Sequence, residues 1–312
     1  MSHSIHPTRW QIVGVLALGL ATVSTAAALI RLALAASGAQ GVGLNLVLAT
    51  MRVAIASLLF LPAWRSLHCR RLQPQAFYCS GGAGIFLAVH FATWITSLSY
   101  TSIAASVTLV TTSPIWIALF AWIGQGERPA STTALGIGLG LAGSAIVSSG
   151  GSSVAGNVPI LGNSLAVLGA IAASLYLLLG RSAQRRGLSW QTHAAIAYMT
   201  ATLMLLPLPL LWGVGYASGT ASFYGWALLL ALGPQAIGHT SFNWAVRWIS
   251  PTVTTLTLLL EPIGASALAF WIFGEVPEPS VFAGAGLTLA GVAIAAFGTH
   301  SRASSVTESA PE

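Results

Sequence analysis

Glu261 is the carboxylate set deepest in an apolar stretch of this chain. It stands in LLLEPIGASALAFWIFGE at 258–275, with Pro262 directly after it. Such a group can take up and release a proton, or hold a cation. Proline cannot donate the backbone hydrogen bond that a helix asks of it, so a bend and a freed carbonyl are expected at Pro262. Two cations are embedded as well: Arg31, in ALIRLAL, towards the outer end of its run, and Arg52, in ATMRVAI, in the middle of the next. Either can hold an anionic group of a ligand. The alternative is structural pairing with Glu261 or with helix-end carbonyls. Glu127 and Glu275 fall at helix ends, and Glu278 falls in a loop or at the foot of a helix.

His90 and His239 add two rings that can donate and accept hydrogen bonds. Each has a partner four residues on, Trp94 after His90 and Asn243 after His239. Residues four apart share a helix face, and a face with that bonding capacity would be wasted against lipid. Histidines bonded to neighbouring backbone are the alternative. Trp116, Tyr176 and Trp244 are further aromatic candidates for the same space, though with eleven Trp in the chain packing and interface positions compete with that role. No metal and no cofactor are expected, because two embedded His and one Glu lack the ligand spacing of a zinc site. Catalysis is not expected either. The chain has no Asp, no HExxH and no GxSxG, and the GGAG at 81–84 is too short for a phosphate loop.

The elements that carry these residues are apolar runs. Of 312 residues 55% are apolar and 6% charged, against about 25% charged in a soluble domain. A membrane-crossing helix needs about 20 apolar residues. Spans are expected at 10–36, 41–63, 76–98, 102–124, 131–149, 160–180, 192–213, 223–246, 250–273 and 279–298. Turn-forming residues such as Pro74, Pro129, Pro159 and Pro277 fall in the gaps. The first run is too long for a cleaved signal segment, and Arg31 interrupts its far end. Cys69 and Cys79 are expected to be free thiols.

The twelve basic residues are all Arg. Numbering the gaps alternately places ten of them on one side: Arg9, Arg65, Arg70, Arg71, Arg128, Arg181, Arg185, Arg186, Arg247 and Arg302. The opposite gaps hold none. Positive loops stay inside, so both termini are expected in the cytoplasm of a bacterial cell, with the chain multi-pass in its inner membrane. The net charge of +6 does not point to nucleic acid, because the Arg residues are scattered among short gaps rather than gathered in a patch.

The chain repeats itself after 148 residues. GERPASTTALGIGLGLAGSAI at 126–146 falls on GEVPEPSVFAGAGLTLAGVAI at 274–294, with eleven of 21 positions identical. Upstream, Pro114 falls on Pro262 and neutral Ser113 on Glu261, so the bends repeat and the charge does not. Five spans per half place the second half in the membrane upside down. Residues 1–150 form the first unit and 151–300 the second, followed by a disordered polar tail at 301–312. The glycines at 136, 138, 140 and 143 and their partners are expected to permit close helix packing.

With these features the chain resembles the drug/metabolite transporter superfamily, EamA type. The resemblance covers nearly all of residues 10–298. It rests on SPIWIALFAWIGQGE at 113–127, LLLEPIGASALAFWIFGE at 258–275, HFATWITSLSYTSIAAS at 90–106 and GHTSFNWAVRWISPT at 238–252. It implies an all-α membrane protein, a basket of ten helices in two inverted fives around a central cavity. It implies outward movement of a small metabolite or drug by alternating access, with membrane lipid as the surround. The excess of embedded Arg over embedded Glu favours a substrate bearing a carboxylate, such as an amino acid. A receptor or structural subunit without transport activity is the alternative, and it would need no polar groups at mid-membrane. The sequence fixes no oligomeric state.

Overall fold

Backbone groups in lipid have no water to bond, so an apolar chain must satisfy them within helices. The computed structural model describes residues 7–37, 41–66, 73–125, 130–149 and 158–308, and every regular element among them is helical. In chain order these are α1 (Arg9–Ser24), α2 (Ala26–Ala36), α3 (Val42–Leu59), α4 (Pro74–Ser97), α5 (Ile103–Val110), α6 (Ser113–Gln125), α7 (Ser131–Ser149) and α8 (Pro159–Arg185). Then come α9 (Trp190–Leu205), α10 (Leu208–Leu211), α11 (Ala221–Leu230), α12 (Thr240–Ala245), α13 (Pro251–Thr257), α14 (Glu261–Phe273) and α15 (Pro279–Glu308). A π-helix, Ala231–His239, joins α11 to α12.

Helix lies in each of the ten expected stretches. Among the described residues six helical runs are long and apolar enough to cross a membrane: Arg9–Ala36, Val42–Leu59, Pro74–Ser97, Ile103–Phe120, Pro159–Arg185 and Trp190–Leu211. Ser131–Val147, Leu258–Phe273 and Pro279–Ile294 are shorter apolar helices. The chain is a multi-pass membrane protein. Large apolar side chains such as Trp10, Ile123, Leu211 and Trp271 point outward, as a lipid-facing surface requires.

Local chemistry sets the ends. Thr8 and Gln11 form a capping box at α1, and Ser102, Ser189 and Thr220 each accept a backbone N–H in the first turn of α5, α9 and α11. Such caps satisfy donors that a helix leaves open. The α5–α6 run breaks at 111–112, and Pro114 is the second residue of α6. In the second half a 3-10 turn, Leu258–Leu260, precedes Glu261, and Pro262 is the second residue of α14. Both prolines therefore sit where a missing N–H costs nothing.

At the polar tail, α15 runs to Glu308, and residues 309–312 lie outside the described residues. Extending a formed helix fixes few dihedrals per hydrogen bond gained, and SRASSVTE holds neither Gly nor Pro to stop it. Cys79 is a free thiol. Cys69, Arg70, Arg71, Glu127, Arg128 and Pro129 lie outside the described residues.

The glycine repeat forms a seam. A Cβ added at Gly143 would lie 2.7 Å from the Gly284 carbonyl oxygen, and one at Gly291 would lie 2.7 Å from that of Gly136. Gly284 and Gly291 are the repeat partners of Gly136 and Gly143. Each half thus contributes the same positions to one antiparallel, self-complementary crossing of α7 and α15. Gly138 and Gly286 point into open space and do not take part.

Candidate functional site

The two broken helices meet the middle of the bundle at their breaks. There they enclose a cavity of about 60 Å³, enough for a few water molecules. Its walls come largely in repeat-related pairs. Val110 and Leu258, Ser113 and Glu261, and Trp94 and Phe242 are each 148 positions apart, and His90 and His239 are 149 apart. Arg52, Thr111 and Tyr176 complete the polar lining.

Arg52 lies midway along α3 and is 0% exposed. Its Nε donates to Gln235 Oε1 at 2.7 Å. Its guanidinium carbon lies 4.1 Å from the ring centroid of Phe91 and 5.9 Å from that of Trp94. Ring faces attract a cation, which offsets part of the cost of burial. Nη1 and Nη2 have no hydrogen-bond partner among the described residues. A buried, unbonded cationic donor is costly, and two on one fork form a ready seat for a carboxylate.

Glu261 opens α14, is 7% exposed and lines the same cavity. Among the described residues it makes no ion pair within 4 Å; the pair found there is Arg31 with Glu275, at 2.5 Å. Arg31 is therefore not the neutralising partner of Glu261, and it does not line the cavity. The reason lies in the backbone. Gly274 adopts φ +65 and ends α14, Glu275 N–H bonds back to Ala269 O, and the carboxylate turns toward α2. Its Oε1 also accepts from Ile103 N–H at 2.8 Å, while Arg31 Nη2 donates to Thr101 O at 2.7 Å.

His90 donates from Nδ1 to Gly169 O at 2.9 Å, stacks on Trp94 at 5.8 Å and lies 6.0 Å from the His239 ring. Both histidines line the cavity, and one of them is also tied to backbone. Tyr176 lines it too, and its hydroxyl donates to Asn243 Oδ1 at 2.7 Å. Asn243 sits one layer behind, also donating to Tyr198 Oη at 3.4 Å. Trp116 and Trp244 are not in the lining. Trp116 donates to Thr112 Oγ1 at 3.2 Å, four residues back. Trp244 packs with Leu16, Phe242 and Trp248, and Phe242 takes the inward face of α12. Among the described residues no three His, Cys, Asp or Glu side chains gather as metal ligands would.

Sequence reasoning passed over Gln235, Tyr198 and Phe242, and read Ser113 only as the neutral counterpart of Glu261. Phe242 could have been found as the repeat partner of Trp94. Gln235 lies four residues before His239, which put it near the same face.

Comparison with known proteins bears on what such a cavity serves. The profile of the EamA-like transporter family matches residues 10–149 and again 160–297. A "probable terminal-alkyne amino-acid exporter" of Streptantibioticus cattleyicolor is 29% identical over 59% of this chain, which spans 61% of that relative's length. An uncharacterized transporter of Archaeoglobus fulgidus is 22% identical over 69% of this chain and 74% of its own. A crystal structure 18% identical in sequence superposes with a TM-score of 0.62 over 92% of this chain and 97% of its own, a likeness of fold.

Proposed function

Because this chain belongs to the EamA-like transporter family, we propose that it exports an amino-acid-like metabolite by alternating access across the bacterial inner membrane. The observation that carries the substrate class is Arg52, fully buried in the cavity wall with both Nη groups unbonded among the described residues. With Arg31 engaged by Glu275, the cavity holds one cation, Arg52, and one carboxylate, Glu261. That balance suits a zwitterion, its carboxylate on Arg52 and its ammonium on Glu261. His90, Trp94, Tyr176 and His239 would contact the rest of the molecule. Asn243 would hold the Tyr176 ring, and Trp116 and Trp244 would serve packing. The relative described as a probable amino-acid exporter supports the same class.

In this reading the chain crosses the membrane ten times, in two inverted units of five at 1–150 and 151–300. The twofold match to one family profile and the self-complementary α7–α15 seam support it, since inverted halves meeting at a central site are a transporter architecture. Flux into proteoliposomes tests the substrate. Amino acids are expected to move, and their amides and decarboxylated amines to compete poorly. Equal competition by all three would remove the role given to Arg52.

Arg confined to alternate gaps places both termini in the cytoplasm. A fluorescent protein fused after Glu312 is expected to be bright, and alkaline phosphatase at the same point inactive. The reverse pattern would invert the topology.

A further inference from the structure

We propose that Gln235 is a positioning residue for substrate recognition, and that the π-helix Ala231–His239 holds it against Arg52. The inference rests on the carboxylate-binding role given to Arg52. A guanidinium can meet a carboxylate side-on, through Nε and one Nη, or end-on, through both Nη groups. Gln235 Oε1 already takes the Nε hydrogen at 2.7 Å, so the side-on approach is closed. The Phe91 ring at 4.1 Å covers one face of the guanidinium. Nη1 and Nη2 remain, and a ligand carboxylate is left with the end-on fork.

The backbone around Gln235 is built for this contact. Pro234, inside the π-helix, offers no N–H, and its ring would crowd the carbonyl four residues earlier in an α-helix. The wider π turn accommodates it, and single π turns recur at functional sites. Downstream, Thr240 donates to the Gln235 carbonyl at 3.5 Å and bonds Tyr198 Oη at 3.1 Å. Tyr198 accepts from Asn243, which holds Tyr176. One polar strip on this helix therefore anchors two cavity-lining groups, Arg52 through Gln235 and Tyr176 through Asn243, and supplies a third, His239.

Two variants separate positioning from packing. Gln235→Met keeps the length and removes the acceptor. Gln235→Glu keeps the acceptor and adds a negative charge that competes with the ligand for Arg52. Proteoliposome flux of an amino acid would be measured for both, with its amide as competitor and Arg52→Met as reference. For Gln235→Met the amino-acid KM should rise by about tenfold with Vmax near wild type, because a hydrogen bond to a charged group is lost. Gln235→Glu should raise KM at least as far, and amide inhibition should change in neither variant. Wild-type transport by Gln235→Glu overturns the proposal even if Gln235→Met fails to fold. Should Arg52→Met itself keep the wild-type preference for carboxylate over amide, the reading of Arg52 fails first and this one falls with it.

Discussion

Arg52→Met is expected to lower amino-acid flux in proteoliposomes by about a hundredfold or more, since breaking a buried charge pair costs roughly 3–5 kcal/mol. Arg52→Lys should restore little of it. An ammonium is a point charge and cannot present two parallel donors to a carboxylate. Glu261→Gln should also lose most transport, for either of two reasons that a pH gradient tells apart. Burial disfavours the charged carboxyl and the nearby Arg52 favours it. If Glu261 exchanges a proton during the cycle, wild-type flux responds to an imposed gradient and the variant does not. If Glu261 only holds the substrate ammonium, flux ignores the gradient in both, and the variant loses affinity for amino acids while still admitting carboxylates that lack an amine. Full flux in Glu261→Gln with a wild-type gradient response would leave Glu261 a packing residue beside Pro262.

The centre of this site was legible because ionisable and polar groups in a membrane are costly and few. Arg52, Glu261, His90, His239, Trp94 and Tyr176 stood out on that ground, and all line the cavity. What position alone could not show was direction. Arg31, towards the outer end of its run, stood as a candidate beside Arg52, but its partner is Glu275, and the left-handed turn at Gly274 brings that carboxylate back over α2. Gln235 carries no charge and follows a proline, so it reads as part of a kink. No hydrophobic period announces a π turn. Trp116 bonds Thr112 four residues back instead of facing the cavity. The glycine repeat was plain, yet a repeat reports likeness and not contact. That Gly143 and Gly291 meet the opposite half's Gly284 and Gly136, while Gly138 and Gly286 do not, needed the geometry.

Loosening the Arg31–Glu275 pair is expected to open the cavity to the outside. The pair joins α2 of the first half to the α14–α15 corner of the second, with side chains 18% and 11% exposed. Glu275 also caps the first turn of α5 through Ile103 N–H, and Arg31 also binds Thr101 O. Three elements are therefore tied at one end of the bundle, the end whose gaps carry no Arg and which the proposed topology places outside. In the proposed cycle a cavity of about 60 Å³ widens to admit a metabolite, and alternating access would break that tie once per cycle. Charge-assisted bonds of this kind contribute about 1.5–3 kcal/mol each, so removing the pair should shift the closed-to-open balance by about tenfold or more. The measurement uses Leu258→Cys as reporter, in a chain whose Cys69 and Cys79 are replaced by Ser. Arg31→Gln and Glu275→Gln should each speed labelling of that thiol by a membrane-impermeant reagent added outside. The charge swap Arg31→Glu with Glu275→Arg should slow it again. In a second chain without the reporter, cysteines at 31 and 275 joined by a short bifunctional reagent should stop flux, and a cleavable reagent should let it resume on reduction. Faster labelling from the cytoplasmic face instead would reverse the assigned sides while keeping the tie. Unchanged labelling in the charge variants, together with full flux through the cross-linked chain, would show that the pair holds the fold and takes no part in the cycle.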